Sequence, residues 1–172
     1  MESPMFRRNL LKLSLLMALG LLRQGNGLAQ QKSLKEQLVG TWTYVSSTAT
    51  LPDGSPLWGP NPKSLLIFTD NGRFSWHVFR SDRPRFASND RTNGTPEENS
   101  ATMQGSLAYF GTYSVNEADK TLISRIEGST FPNSEGEEQK RIITRLTADE
   151  LIYMNPETTL GASVEAVWKR VK

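Results

Sequence analysis

The sequence predicts a mainly β protein, an eight-stranded antiparallel up-and-down β-barrel with one short helix between strands three and four. Eight stretches rich in β-branched and aromatic residues alternate with period two, as strands with one buried face do. Most are joined by clusters of turn-forming residues short enough for hairpins. Local connections of this kind favour an up-and-down barrel over a Greek-key sandwich, and closure removes the unpaired edges that invite aggregation.

Residues 30–38 (QQKSLKEQL) are a polar lead-in with room for one helical turn. Residues 41–51 (TWTYVSSTATL) read as the first strand, ended by the turn PDGSP. Residues 63–69 and 73–80 are the second and third strands, joined by Asp70-Asn71-Gly72, a pair-and-glycine signal for tight hairpins. Residues 110–115 (FGTYSV) are the fourth, turning at NEADK into the fifth, 121–129 (TLISRIEGS). After FPNSEGE come the sixth and seventh, 138–147 and 151–155, and then the eighth, 163–171 (SVEAVWKRV).

Ahead of this pattern, residues 1–29 read as a signal peptide. A basic start precedes the apolar run Leu13–Leu22, and small residues Gly27 and Ala29 suit cleavage after Ala29. The run is well short of the roughly 20 residues that span a bilayer, so no membrane span is expected. Arg7-Arg8-Asn9-Leu10-Leu11-Lys12 resembles the twin-arginine export motif, although Phe6 replaces its usual small polar residue. An ordinary secretory signal is the other reading. Both place residues 30–172, as one domain, in the periplasm or outside the cell.

Four of the 20 basic residues (Arg7, Arg8, Lys12, Arg23) and one of the 18 acidic (Glu2) fall in residues 1–29, leaving a net charge of −1. That balance gives no whole-chain attraction to nucleic acid or anionic membrane. The chain has no cysteine, which excludes disulfides, thiol catalysis and thiolate metal sites. Its single histidine, His77, excludes multi-histidine metal centres. No metal and no cofactor is expected. A lone haem ligand at His77 is the remaining cofactor reading, and parity with Arg73 and Ser75 turns that ring toward solvent.

The passage from Ser81 to Ala108 far exceeds the usual hairpin loop of about 2–5 residues, and loops so long are often lids or binding loops. Thr95-Pro96-Glu97-Glu98 is a capping box with proline at the first helical position. Met103, Leu107 and Phe110 then recur at helical spacing. These signals predict a helix over residues 96–107 laid across a barrel mouth as a lid. RPRFASNDR would form its approach, with Arg–carboxylate contacts and Phe86 as a plug. A surface ornament held by salt bridges is the alternative.

In strand three Phe74, Trp76 and Val78 share the apolar, inward face, which ends at Arg80. In strand four Tyr109, Gly111, Tyr113 and Val115 share a face, the glycine leaving room between two tyrosines. The candidate ligand site is therefore Trp76, Arg80, Tyr109 and Tyr113, with Arg85 and Phe86 from the lid approach. Arg80 would offer charge to an anionic group. Aromatics that merely fill the core are the competing reading. If the strand five–six hairpin centres near Ser134, Glu127 and Arg141 fall outside, with Ile142 and Leu146 inside; a buried Glu127 beside Arg141 is the other possibility.

No paired carboxylates and no nucleophile–base spacing stand out, so no catalytic residue is named. The leading functional reading is a non-catalytic binder of a small hydrophobic or amphipathic ligand. A small-molecule cyclase or isomerase using Arg80, Tyr113 or a lid carboxylate, and a filled structural barrel, stay open beside it.

Five segments in order, LVGTW (38–42), WGPNPKSLLIFTDNGRFS (58–75), RPRFASNDRTNGTPEE (83–98), LAYFGTYSV (107–115) and EGSTFPN (127–133), resemble the bacterial lipocalin-like domain family. Gly40-Thr41-Trp42 matches the Gly-x-Trp motif of lipocalins. The resemblance implies a calycin-type barrel whose Trp42 closes one end beneath a basic residue from near the C-terminus, Arg170 or alternatively Lys169. It implies little about activity, because one fold hosts many functions.

Overall fold

An eight-stranded sheet becomes a barrel only if its last strand pairs with its first, and this chain meets that condition. A computed structural model describes residues 32–158 and 161–172; the expected signal peptide, 1–29, lies outside them. The strands are β1 (Gly40–Ser47), β2 (Lys63–Phe68), β3 (Arg73–Phe79), β4 (Ser106–Asn116), β5 (Thr121–Ser129), β6 (Glu138–Leu146), β7 (Glu150–Asn155) and β8 (Val164–Arg170). Each pairs antiparallel with the next, and β8 returns to β1 with Trp42 opposite Arg170 and Tyr44 opposite Trp168. The predicted up-and-down barrel is the observed one.

Alternation decides which side chains enter the barrel. Leu66, Phe68, Phe74, Trp76, Val78, Tyr109, Tyr113, Leu122, Ile126, Leu151, Tyr153 and Trp168 are buried in one core. Their strand neighbours face outward, as a period of two requires. His77 stands on that outer face, its Nε2 2.8 Å from Ser75 Oγ.

One end of the barrel is sealed. Helix α1 (Leu34–Leu38) starts with a capping box between Ser33 and Glu36. The Glu117 carboxylate, from the β4–β5 turn, accepts hydrogen bonds from the Leu34 and Lys35 amides at 2.9 and 3.1 Å. A carboxylate there complements the positive end of the helix. Leu38 is wholly buried, and its carbonyl accepts the Trp42 indole N–H at 2.9 Å. The Arg170 guanidinium lies 4.0 Å from the Trp42 ring centre. It donates to the carbonyls of Val39 at 2.8 Å, Gln37 at 2.6 Å, and Ala148. Arg170, and not Lys169, is thus the basic residue over the tryptophan. Gly40 follows from this contact: its φ is +134°, and a Cβ there would stand 2.5 Å from Arg170 Nη1.

The long connection departs from expectation in one respect. Its helix, α2 (Pro96–Gln104), has the predicted Thr95/Glu98 capping box and Pro96 at its start, but it stops at Gln104. Ser106, Leu107 and Ala108 instead pair with Phe79, Val78 and His77, so β4 begins four residues earlier than predicted. Met103, Leu107 and Phe110 are therefore no stripe. Leu107 points inward, while Phe110, three residues on in a strand, faces out and covers Gly128. In the middle of the same strand, a bulge falls between Phe110 and Gly111. A Cβ on Gly111 would run into the Arg125 carbonyl, so this glycine admits the neighbouring backbone rather than a ligand.

β1 also ends earlier than expected, at Ser47. Residues 48–62 form a loop that carries an isolated bridge between Thr50 and Pro56 and is tied to the next connection through the Leu57 and Pro60 carbonyls. Among the described residues, no helix is long and apolar enough to cross a membrane.

Arg170→Ala removes a cation–π contact and strands three backbone carbonyls. It is expected to lower unfolding free energy by about 3 kcal/mol in urea denaturation. Arg170→Lys should recover only part of this, because an ammonium cannot reach three acceptors in the fork geometry. A loss below about 0.5 kcal/mol, within the range of an ordinary surface change, would contradict the role given to the seal.

Candidate functional site

The turns β2–β3, β4–β5 and β6–β7 lie at the sealed end, and the four remaining connections lie at the other. All four are longer than the turns of the sealed end, and one carries α2, so that end is free to open. A cavity of about 400 Å³ occupies it, lined by residues of the barrel wall and of all four connections. Small-molecule sites generally measure roughly 300–1,000 Å³.

The walls are aromatic and locked. Trp76 stacks on Tyr109 with ring centres 4.9 Å apart and planes at 16°. Trp58, from the β1–β2 loop, packs 6.0 Å from Trp76, and Trp168 meets Trp76 edge-on at 5.9 Å. Tyr153 and Tyr44 flank Trp168 at 6.4 and 5.6 Å. The Trp76 indole N–H donates to the Tyr153 hydroxyl at 3.2 Å. Aromatic pairs of this kind contribute about 0.5–1.5 kcal/mol each beyond their buried area, so the walls are preformed.

Among the described residues, one charge reaches this interior. Arg141 on β6 is 5% exposed, and its Nη2 donates to the Tyr109 hydroxyl at 2.8 Å and to Gln139 Oε1 at 2.6 Å. Its guanidinium carbon lies 5.4 Å from the Tyr153 ring centre and 6.0 Å from that of Tyr109. Burial opposes the charge, while the oxygens of Tyr109 and Tyr153 more than offset it and hold the pKa above the ordinary arginine value. Burial also pushes the Tyr109 phenol far above its usual value, against the pull of Arg141, so it stays a neutral hydroxyl.

The expected site residues divide. Trp76 and Tyr109 line the cavity together. Tyr113 belongs to the sealed end, where its hydroxyl donates to the Thr69 carbonyl at 2.8 Å and its ring meets Phe68 at 4.9 Å. Arg80 does not enter the cavity. It makes a two-pronged pair with Asp82, at 2.9 and 2.7 Å, and donates to the Leu57 carbonyl at 3.1 Å. It is a clamp between the two loops that carry Trp58 and α2. Arg85 is exposed on the same connection. Phe86 packs inside that connection, where a Cβ on Gly94 would come within 2.7 Å of its ring. It plugs the loop, not the barrel.

α2 forms a rim rather than a cover. It buries none of its residues, and only its last turn, through Met103 and Gln104, reaches the cavity mouth. Among the described residues no ion pair falls within the approach, 83–91: Arg80–Asp82 lies just before it, and Glu98 accepts a hydrogen bond from the Ala87 amide at 2.9 Å.

Arg141 was expected outside, with Ile142 inside, and the structure reverses this. Arg141 pairs with Leu122 and shares its inward face. The cause is the register of the β5–β6 hairpin, which does not centre near Ser134 and sets Leu122 rather than Glu127 opposite Arg141. Farther on, a bulge between Ile143 and Arg145 shifts the phase of β6 by one residue. Leu146 counts correctly as inward, yet counting back from it by twos lands on the wrong face. Glu127 does lie outside, and its partner there is Arg73 at 2.7 Å. Trp58, Leu57 and Trp168 also line the cavity without having been expected. Trp168 shares inward parity with Ala166 and Val164 and was legible; Trp58 sits in a loop with no period to read. Among the described residues, no group of three or more His, Cys, Asp or Glu could hold a metal ion.

Comparison with known proteins gives three findings. The sequence model of the family described as lipocalin-like domain matches residues 39–171. No curated protein matches the chain. Among solved structures, the chain is similar to a lipocalin-like protein from Bacteroides uniformis, at 17% identity and a TM-score of 0.41, over 78% of this chain and 99% of that one. It is similar also to bovine odorant binding protein in complex with a selenium-containing odorant, at 16% identity and a TM-score of 0.41, over 82% and 74%. The same bovine protein with undecanal gives 16% identity and a TM-score of 0.40, over 83% and 76%.

Burial raises the phenols of Tyr109, Tyr44 and Tyr113 in the folded state. Their contribution to stability is complete below the unfolded phenol pKa of about 10 and is lost as pH rises through the folded values. The urea midpoint should hold steady between about pH 7 and 9 and fall above about pH 10. Tyr109→Phe should flatten that alkaline fall; an unchanged slope would contradict the burial of its hydroxyl.

Proposed function

The chain belongs to the lipocalin-like domain family, and from that premise we propose that it binds a small, mostly apolar molecule in the open half of its barrel without transforming it. The observation that carries this is the hollow of about 400 Å³ walled by rigid aromatic rings. A barrel serving only as a scaffold needs no such space, and the sealed half, packed around Trp42, Leu66 and Phe68, holds a void of about 10 Å³. Of the acid–base groups a cyclase or isomerase reading would use, Arg80 and Tyr113 stand away from the cavity on a rim clamp and in the sealed end, and the carboxylates of residues 81–108 are not part of its lining.

The basic, apolar and small-residue pattern of residues 1–29 supports export, with cleavage after Ala29, to the periplasm or medium. A cysteine-free barrel sealed by Arg170 suits that setting, since nothing in it depends on a redox state.

Three of the four tryptophans line the cavity, so occupancy should change intrinsic fluorescence. Phenylnaphthylamine, a neutral apolar fluorophore, is expected to bind the wild-type protein and quench that emission. Ala166 is buried on β8 against the cavity. Ala166→Trp should therefore weaken the probe by at least about tenfold while the far-ultraviolet spectrum stays that of a β protein. Equal affinity in the two proteins would contradict the site. For export, protein recovered from its own cells should begin at Gln30, and an intact Met1 start would contradict cleavage.

A further inference from the structure

We infer that the cavity selects ligands with an anionic head group, a carboxylate foremost, and that Arg141 is the residue that receives it. This rests on the binding reading above and names the class of molecule. Arg141 stands at the cavity floor, between the main hollow and a void of about 10 Å³ beneath it.

Its hydrogen-bond partners are neutral: a phenol that burial keeps protonated, and an amide oxygen. Among the described residues the ion pairs are Arg73–Glu127, Arg80–Asp82, Arg145–Glu150 and Lys172–Asp149, and none includes Arg141. The one carboxylate in the cavity lining, Glu157, is exposed on the β7–β8 connection.

A guanidinium held out of water without a counter-charge is destabilising, and an apolar side chain of similar volume would serve packing better. Clefts in which such a charge is held are candidates for function. Geometry adds a second reason. Arginine has five N–H donors, and Tyr109, Gln139 and Tyr153 engage at most three. At least two are left, on Nε and Nη1, so a carboxylate can take one charge-assisted bond there, or a two-pronged contact if it displaces Gln139 from Nη2. The aromatic walls would then hold the tail, which would run outward past Met103 and Phe131. These two apolar side chains at the mouth are 45% and 37% exposed. A head-first amphipathic acid therefore accounts for a buried charge at the floor and exposed hydrophobes at the rim.

The test uses three ligands with one tail, decanoate, decanol and decylamine, competing with phenylnaphthylamine on the wild-type protein. Decanoate should displace the probe at least about tenfold more tightly than decanol, with decylamine weakest. Equal displacement by acid and alcohol, or failure of decanoate to displace a bound probe, overturns the inference and leaves the binding reading standing. A probe that never binds overturns both. In Arg141→Met the acid-to-alcohol preference should shrink toward unity, and a preference that persists overturns the assignment. Should that variant not fold, the wild-type comparison decides alone.

Discussion

The pairing of β1 with β8 is the constraint on which the rest of this molecule depends. It sets Trp42 opposite Arg170, which puts a guanidinium over an indole and lets the same side chain gather three carbonyls from α1, its exit and the β6–β7 turn. It also fixes the interior width. Eight strands leave room for their own side chains or for one small guest. Here the two options are divided along the axis. The sealed end is filled by Leu38, Trp42, Leu66 and Phe68, and the open end keeps a hollow.

That division follows from the connections. Up-and-down order sends alternate loops to opposite ends, and in this chain the short turns and the helix α1 fall together. The long loops fall at the other end, where they raise a rim instead of a plug. Arg80 links two of them, tying Asp82 to the Leu57 carbonyl beside Trp58, so that rim aromatics are held as firmly as wall aromatics. Two buried polar groups stand out against this packing. The Trp168 indole N–H has no hydrogen-bond partner and lies among the rings of Tyr44, Trp76 and Tyr153. Arg141 has partners but no opposite charge. Each costs stability, and both belong to the cavity lining.

Much of the fold was legible because period-two alternation reports burial directly: Phe74, Trp76 and Val78 read as inward and are inward. Capping boxes at Ser33 and Thr95 are local chemistry, and only the second was read from sequence; Gly40 and Trp42 carried the sealed end. The site was less legible, for three separate physical reasons. Arg141 was lost to the register of the β5–β6 hairpin, which sets Leu122 and not Glu127 opposite it and leaves no residue-level signature in the FPNSEGE turn. Trp58 lies in a loop, where position comes from tertiary contact. Arg80 ends an inward-facing run, yet a nearby aspartate, two residues away, captures it at the rim. In Met103, Leu107 and Phe110 a helical spacing arose by coincidence across a helix-to-strand junction.

If Arg141 receives a ligand carboxylate inside the aromatic hollow, carbon NMR of carboxyl-labelled decanoate bound to the wild-type protein will register it. A carboxylate beside a buried guanidinium has its pKa pulled down. The bound resonance should therefore keep its ionised position as pH falls through the ordinary carboxylate range of roughly 4 to 5. A bound resonance that titrates in that range, as the free acid does, would contradict the claim.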